Sequence, residues 1–440
     1  MSAQNDQSSL HSQIKGQDKA GGGRQPDCTL NAEYLRLLDM AQRYIFDPRQ
    51  AGNLKALESV HACDIKTTSD AITYANEALK ATGDSFNKIL TADQVAAMEA
   101  DAHGQFGGIG ATFEAAPGKT AQSPLVVHET IPNSPAFSAE LKAGDVITAI
   151  DGHDVTHMKQ QDALNLIGGD IGTPISIDIR RGDHNVSAMM IRQEINVPSV
   201  QGRQLHDGIA YLSVDNFEDE TAAAQLETQM RKYKDAPAYV IDLRNNPGGL
   251  VDTALLAASI FVKNGTLVKE QLRVPSSSPV KYSQVRETLT RYGEVAVKQG
   301  PGFSIPRVSL HQRLDDISLN KPVVILVNEN TASAAEMFTA AVHDNNPYAT
   351  VVGAKTFGKG IGQIALKGLP GNAQMNITTM HYLTPNGKWL GDGAQHRYGV
   401  QPDQTLAPLP PDSHIGSDDD KQLQSALAIL EKRIASKPEN

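Results

Sequence analysis

Cysteine is nearly absent from this chain. Its two cysteines, Cys28 and Cys63 among 440 residues, cannot build a disulfide framework, and their spacing fits no metal-binding pattern. Two free thiols are the expectation. A long basic run is also missing, and the formal net charge is −10. That excludes a phosphate backbone or an anionic membrane surface as the expected partner. No apolar run reaches the roughly 18 residues of a membrane-spanning helix. The polar N-terminus lacks the apolar stretch of a signal peptide, so as written the chain is expected to stay where it is made. Two familiar serine-hydrolase signatures, G-x-S-x-G and G-D-S-G-G, are absent as well, and no histidine stands in a recognisable triad context.

What is present is an ordinary globular composition, 40% hydrophobic and 20% charged, long enough for two to four domains at roughly 100–200 residues each. Residues 1–29 read as a disordered polar arm, rich in Gln, Ser, Gly and Asp. Residues 30–104 carry helical periodicity with Ser/Thr/Asp starts. From 105 to 195 the period changes to short strands with glycine turns, the pattern of a compact β-rich module. Residues 196–412 alternate strand and helix, which indicates an α/β layer. Within it, 268–319 break the rhythm and read as a surface insertion. An amphipathic helix closes the chain over 413–440.

Four segments carry the chemistry. In "VNENTASAAEMF", Ser333 stands where a strand turns into a helix. With Glu336 it forms S-x-x-E, which serves as a capping box or presents a nucleophile at a helix N-terminus, where N–H groups and the dipole favour developing negative charge. His128, His343 and His381 read as surface or structural residues, so the base would be a lysine. Burial lowers a lysine pKa from near 10.4 toward the useful range. Lys359, in the glycine turn "GAKTFGKGIGQ", suits that role, with Lys355 competing. The same turn matches G-x-x-x-x-G-K of a phosphate loop, but Gly360 replaces the Ser/Thr that would hold magnesium. "IDLRNNPGGL" ends a buried strand in a turn whose Gly248 N–H, with that of Ala334, is the candidate oxyanion hole. Taken alone, it is also a plain turn. In the β-rich module, "FGGIG" offers the amides of Gly108, Ile109 and Gly110 to a peptide carboxylate, beside a strand edge that can accept a further strand.

In this order the segments resemble one family, the carboxyl-terminal processing (tail-specific) proteases of peptidase family S41, over residues 30–435. "FGGIGATF" with "LKAGDVITAIDG" looks like the family's PDZ domain, and "GIAYLSVDNF" with "VIDLRNNPGGL" like the start of its protease core. "YLTPNG" and "YGVQPD" match its closing strands. The resemblance implies an α/β fold with a ClpP/crotonase-like core, a PDZ domain and a helical N-terminal region often used for dimerisation. Ser333 maps to the nucleophile, Lys359 to the general base and Gln363 to the residue orienting it. The substrate would be a protein with a free C-terminus, with no metal or cofactor. Family members are usually exported or lumenal, whereas no leader is legible here. Two other readings compete. A non-catalytic PDZ scaffold has no need of Ser333, Lys359 and Gln363 together. A nucleotide-binding protein needs the hydroxyl that Gly360 lacks.

Overall fold

The computed structural model describes residues 31–440 except 60, 62, 103–105, 116–123, 196–197, 276–280, 291–292, 302–306, 312, 315, 319, 411–414 and 437–440. The expected polar arm 1–29, with Cys28, lies outside the described residues. Cys63 is disulfide-bonded, which corrects the expectation of two free thiols. Pairing depends on the approach of two Cβ atoms in space, and sequence spacing does not report that. The chain divides into two compact units: residues 93–198, and a unit joining residues up to 92 with those from 199 onward.

In the larger unit, helix α1 (Ala32–Tyr44) starts where the Asn31 side chain accepts from the N–H groups of Glu33 and Tyr34, satisfying donors a helix start leaves open. Helices α2 (Pro48–Ala56) and α3 (Thr68–Lys80) follow, the latter opened by a Thr67/Asp70 capping box. Their apolar faces, with Leu37, Leu38, Ile72 and Leu79, pack with Met375 and Ile377 of the core. Strand β1 (Lys88–Leu90) pairs antiparallel with residues 374–376. The N-terminal helices are thereby built onto the core by both packing and backbone pairing. Helix α4 (Ala92–Ala102) leads into the second unit.

That second unit holds β2 (Phe106–Gly108), β3 (Ala111–Ala115), β4 (Leu125–Thr130), β5 (Val146–Ile150), β6 (Pro174–Arg181) and β7 (His184–Ile191), with helices α5 (Pro135–Ser138) and α6 (Gln160–Ile167). Its main sheet runs β3-β4-β5-β6-β7. On β6, Ile175, Ile177 and Ile179 are buried at the period-two spacing of a one-faced strand. Buried Arg192 donates to the carbonyls of Leu166, Ile167 and Pro174 and to Thr173 Oγ1, with the Asp151 carboxylate 3.6 Å away. Strand β3 is an edge strand.

The core resumes with β8 (Val200–Gln204), β9 (Ala210–Val214), helix α7 (Ala222–Lys232), β10 (Tyr239–Asp242) and helix α8 (Val251–Ala258). Then come β11 (Gly265–Arg273), β12 (Tyr282–Thr290), β13 (Gly293–Gln299) and β14 (Arg307–His311). Residues 268–319, read from sequence as an insertion, thus carry an antiparallel series of strands. After them stand β15 (Val323–Val327), helix α9 (Ala334–Asn345), β16 (Ala349–Gly353), β17 (Ile361–Leu366), β18 (Gln374–Leu383), β19 (Gln404–Thr405) and helix α10 (Lys421–Ala435). One sheet runs β8-β9-β10-β15-β16-β19, parallel from β9 onward. The other runs β1-β18-β11-β12-β13-β14, with β17 on β18.

The parallel strands are buried on both faces, as such strands are when helices cover each side. On β15, Val323, Ile325 and Val327 join the cluster that includes α7, α8 and α9, while Val324 and Leu326 join the cluster that includes α10. Helix α10 is also held by charge. Arg244, two residues beyond β10, bonds both carboxylate oxygens of Asp242 and, through Nη1 and Nη2, those of Asp420, the N-cap of α10. Burial opposes the guanidinium charge, yet these bonds hold its pKa above the ordinary value. The Asp242, Arg244 and Asp420 side chains are at most 2% exposed, so removing one partner strands a buried charge. Asp420→Ala is expected to lower the unfolding free energy by roughly 3–5 kcal/mol in urea denaturation. A loss under about 1 kcal/mol would mean that the apolar face alone docks α10.

Candidate active site

Two strand ends meet here. Strand β10 ends in Leu243-Arg244-Asn245-Asn246-Pro247-Gly248 and β15 ends in Asn328-Glu329-Asn330-Thr331-Ala332-Ser333. The two turns are bonded together. Asn245 N–H donates to Asn328 Oδ1 at 2.9 Å, and Asn328 Nδ2 donates back to Asn245 Oδ1 at 2.8 Å. Thr331 Oγ1 donates to the Leu243 carbonyl at 2.8 Å, and Ala332 N–H to the Asn246 carbonyl at 2.9 Å. Next comes Ser333 as N-cap of α9, with φ 53° and ψ −119°. A side-chain-bearing residue at positive φ costs of order 1–3 kcal/mol and persists only where its surroundings over-determine it.

The over-determination comes chiefly from Glu336. Its carboxylate is fully buried. Oε2 accepts from the N–H of Ser333 at 2.9 Å and from the N–H of Lys359 at 2.8 Å. Oε1 accepts from Gly358 N–H at 2.8 Å and from Thr356 Oγ1. The capping pair read from sequence is present, and the same side chain also holds the lysine turn. One oxygen atom therefore gathers the backbones of both Ser333 and Lys359. Burial pushes the Glu336 pKa up while the four donors push it down, and the net direction is up.

Lys359 is half-buried, and burial lowers its pKa below the ordinary lysine value. Lys88 acts in the same direction, and Asp84 and Glu336 oppose it. Its Nζ lies 4.1 Å from the centroid of the Phe86 ring. Lys355, the competing candidate, is exposed and donates to the Arg397 carbonyl at 3.0 Å. The glycine turn runs into strand β17 rather than a helix, so it has no helix N-terminus to face a phosphate. Gly358 has φ +92°, and a Cβ there would meet Arg397 Cα at 2.7 Å; glycine is required for this approach.

Gly248 is brought against the serine. A Cβ on it would lie 2.9 Å from Ala334 N and 3.0 Å from Ser333 Cβ. Its N–H donates to Asn246 Oδ1 at 2.8 Å. Gln363 Nε2 donates to Thr378 Oγ1 at 3.0 Å. Gly108, Ile109 and Gly110 lie in the other unit, where the carbonyls of Ile109 and Gly110 accept from Ala136 and Ile131. Gly110 has φ +71°, and a Cβ would come within 2.2 Å of Ser134 Cβ. In the larger unit a cleft of about 680 Å³ is lined among others by Thr82, Asp84, Thr378, His381, Trp389 and Asp392. His381 stacks between Phe46 and Trp389, and burial pushes its pKa down to about 4.

Sequence reading missed the roles of Asn246, Asn328, Asp84 and Phe86, and saw only half of Glu336. For Glu336 a signal existed, since it is the only charged residue in the apolar run "SAAEMFTAAV". The contacts the others make with distant segments leave no local trace.

Fold and site together define a mixed α/β core with a PDZ module. Residues 208–406 match the model for peptidase family S41, and 126–181 that for the PDZ domain. Over residues 208–406 the chain is thus similar to peptidase family S41. It is 30% identical over 326 residues to a probable CtpA-like serine protease of Staphylococcus haemolyticus strain JCSC1435, covering 74% of this chain and 57% of that one. A Staphylococcus aureus relative of the same description, from strain bovine RF122 / ET3-1, is 29% identical over 345 residues, 78% of this chain and 61% of that one. The chain thus spans about three-fifths of the length of these relatives. Among solved structures, the photosystem II D1 C-terminal processing protease aligns at TM-score 0.50 and 23% identity, over 86% of this chain and 94% of that one. A putative S41 protease from Bacteroides fragilis NCTC 9343 aligns at 0.55 and 15%, over 94% and 100%. At these identities the solved structures speak for the fold.

Two outcomes follow from the bonding. Glu336→Ala leaves three backbone N–H groups without their acceptor. At about 1–3 kcal/mol for each unsatisfied buried donor, the melting temperature should drop steeply, with Glu336→Gln falling less; equal melting of all three proteins would show that the bonds are dispensable. His343 bridges Asp344 and Asp403 at 3.2 and 3.1 Å. The hydrogen bond to Asp344 raises its pKa, with Asp403 adding to it. A raised folded-state pKa gives stability that is present below the unfolded value near 6.5 and lost as pH rises through the folded value. Stepping from about pH 6 to pH 8 should therefore cost the wild type more melting temperature than His343→Gln, as read by calorimetry.

Proposed function

We propose that this chain is a serine endopeptidase that engages protein C-terminal tails through its PDZ domain and cleaves by a Ser333–Lys359 mechanism. The observation that carries the reading is the Glu336 carboxylate, which fixes the backbones of a strained serine N-cap and a half-buried lysine on one oxygen atom. A structural cap needs only the first of these bonds.

In the proposed reaction, Lys359 Nζ is neutral and takes the proton of Ser333 Oγ as that oxygen attacks the peptide carbonyl. Burial makes this affordable by disfavouring the ammonium. The oxyanion that forms is held by the N–H groups of Gly248 and Ala334. Gly248 N–H must then share or release its bond to Asn246 Oδ1. Lys359 returns the proton to the leaving amine, an ester remains on Ser333, and water deacylates it with Lys359 again as base. Gln363, whose Nε2 bonds Thr378 Oγ1, is the residue proposed to orient the lysine. The tail carboxylate docks on the amides of Gly108, Ile109 and Gly110, and the tail adds to the edge of β3.

The test uses an unfolded protein substrate with a free apolar C-terminus and the same substrate amidated. Wild type should cleave the free-tail form faster. Ser333→Ala and Lys359→Ala should each lose at least about 10³-fold in kcat/KM, by analogy with removing a nucleophile or its base. Full activity in Lys359→Ala would end the Ser–Lys assignment, and tail binding without cutting by wild type would favour the PDZ scaffold instead.

A further inference from the structure

The turn after α3, residues 82–87, belongs to the N-terminal helical region and lies far in sequence from any catalytic motif. In space it reaches the lysine. The Phe86 ring lies under Lys359 Nζ at 4.1 Å. Phe86 is itself set by its backbone, since its N–H donates to Asp84 Oδ1 at 2.9 Å. Gly393 also closes on Phe86: a Cβ there would touch the ring at 3.2 Å. The turn is fastened to β18 as well, with Thr378 N–H donating to Asn87 Oδ1 at 2.7 Å. Thr378 Oγ1 accepts from Gln363 Nε2 and bonds the Asp84 carboxylate. A chain of polar contacts therefore runs Gln363, Thr378, Asp84, and ends beside the lysine.

The charged groups facing Lys359 come from four elements. Glu336 of α9 is saturated by four donors. Asp392, whose backbone is bridged to Lys359, has its carboxylate engaged by the His396 ring and by the N–H groups of Ala394 and His396. Lys88 of β1 is a like charge. Asp84 remains as the carboxylate of the 82–87 turn, half-buried and bonded by Phe86 N–H and Thr378; burial raises its pKa and these bonds oppose the rise. A ring face and a carboxylate on one short turn are the two groups that favour an ammonium.

We propose that Asp84 and Phe86 are positioning residues for Lys359: the N-terminal region supplies the seat that holds its ammonium form between turnovers. The inference rests on Lys359 being the base, and it adds that the acidic limb of the pH profile is set from outside the protease motifs. Burial drives the lysine pKa down and Asp84 restrains that fall. The seat thereby fixes the pH at which the base becomes available.

The experiment measures kcat/KM against pH on an unfolded casein substrate for wild type, Asp84→Asn and Phe86→Leu in the full chain. In parallel, the rate of Ser333 labelling by a fluorophosphonate is followed, which reads serine activation without tail binding. Asp84→Asn keeps the shape and removes the charge that favours the ammonium, so the acidic limb should move to lower pH by about one unit. Activity below the wild-type limb should then rise several-fold. Phe86→Leu keeps the burial and removes the ring face, so its limb should move the same way by less. The labelling profiles should shift with both. An unmoved limb, or one displaced to higher pH, in variants with wild-type melting overturns the proposal; if Asp84→Asn fails to fold, the Phe86→Leu profile decides. Lys359→Ala run alongside separates the two levels. An active Lys359→Ala defeats the Ser–Lys reading itself, whereas an inactive one with unmoved limbs in the other variants defeats only the seat.

Discussion

A buried carboxylate must be surrounded by donors or it will not stay ionised, and in this molecule that requirement shapes the site. Glu336 stands fully buried in the first turn of α9. Its four donors come from two places along the chain: the serine N-cap, and the lysine turn with Thr356, Gly358 and Lys359. Satisfying one charge forces those segments together. Removing the charge would leave the turn without its acceptors and the strained Ser333 backbone with one restraint fewer. The position of the lysine turn thus depends on the donors this neighbouring carboxylate needs as well as on the turn's own glycine, Gly358.

The strain at Ser333 is carried by a wider frame. The turns after β10 and β15 are bonded to each other through Asn245 and Asn328, and through Thr331 to Leu243. The β10 turn is in turn anchored from behind by Arg244, which bridges Asp242 and Asp420. Helix α10, last in sequence, therefore buttresses the strand end that presents Gly248. The parallel strands beneath, buried on both faces, leave these turns little freedom to shift, because a register slip would exchange the two apolar clusters.

Within the PDZ unit the same economy holds at smaller scale. A buried arginine, Arg192, donates to backbone carbonyls, and Gly110 occupies a position where a Cβ would collide with Ser134. The N-terminal helical region is more than a flank to the core. It gives a strand to the second sheet through β1 and sends Phe86 to the lysine. That region would be expected to tolerate change on its outer helix faces and to resist it in the 82–87 turn.

Much of this was legible along the chain. The strand–helix alternation, the glycine turns, the S-x-x-E pair and the ordered run of family motifs are local patterns, and local patterns are what periodicity and turn chemistry encode. Ser333, Lys359 and Gly248 could be nominated from them, because a serine at a helix start, a lysine in a glycine turn and an N-P-G-G turn each carry a short-range signature. The two lysines sit in the same turn, and only the folded chain shows that they differ in burial, Lys359 half-buried and Lys355 exposed. Nor could the Cys63 disulfide, the fourfold bonding of Glu336, the link from Arg244 to Asp420, or the approach of Phe86 to Lys359 be read in advance. Each joins residues whose proximity arises only when the sheets close, and a contact made across such separations is selected by its geometry in space, leaving no period or spacing behind in the chain.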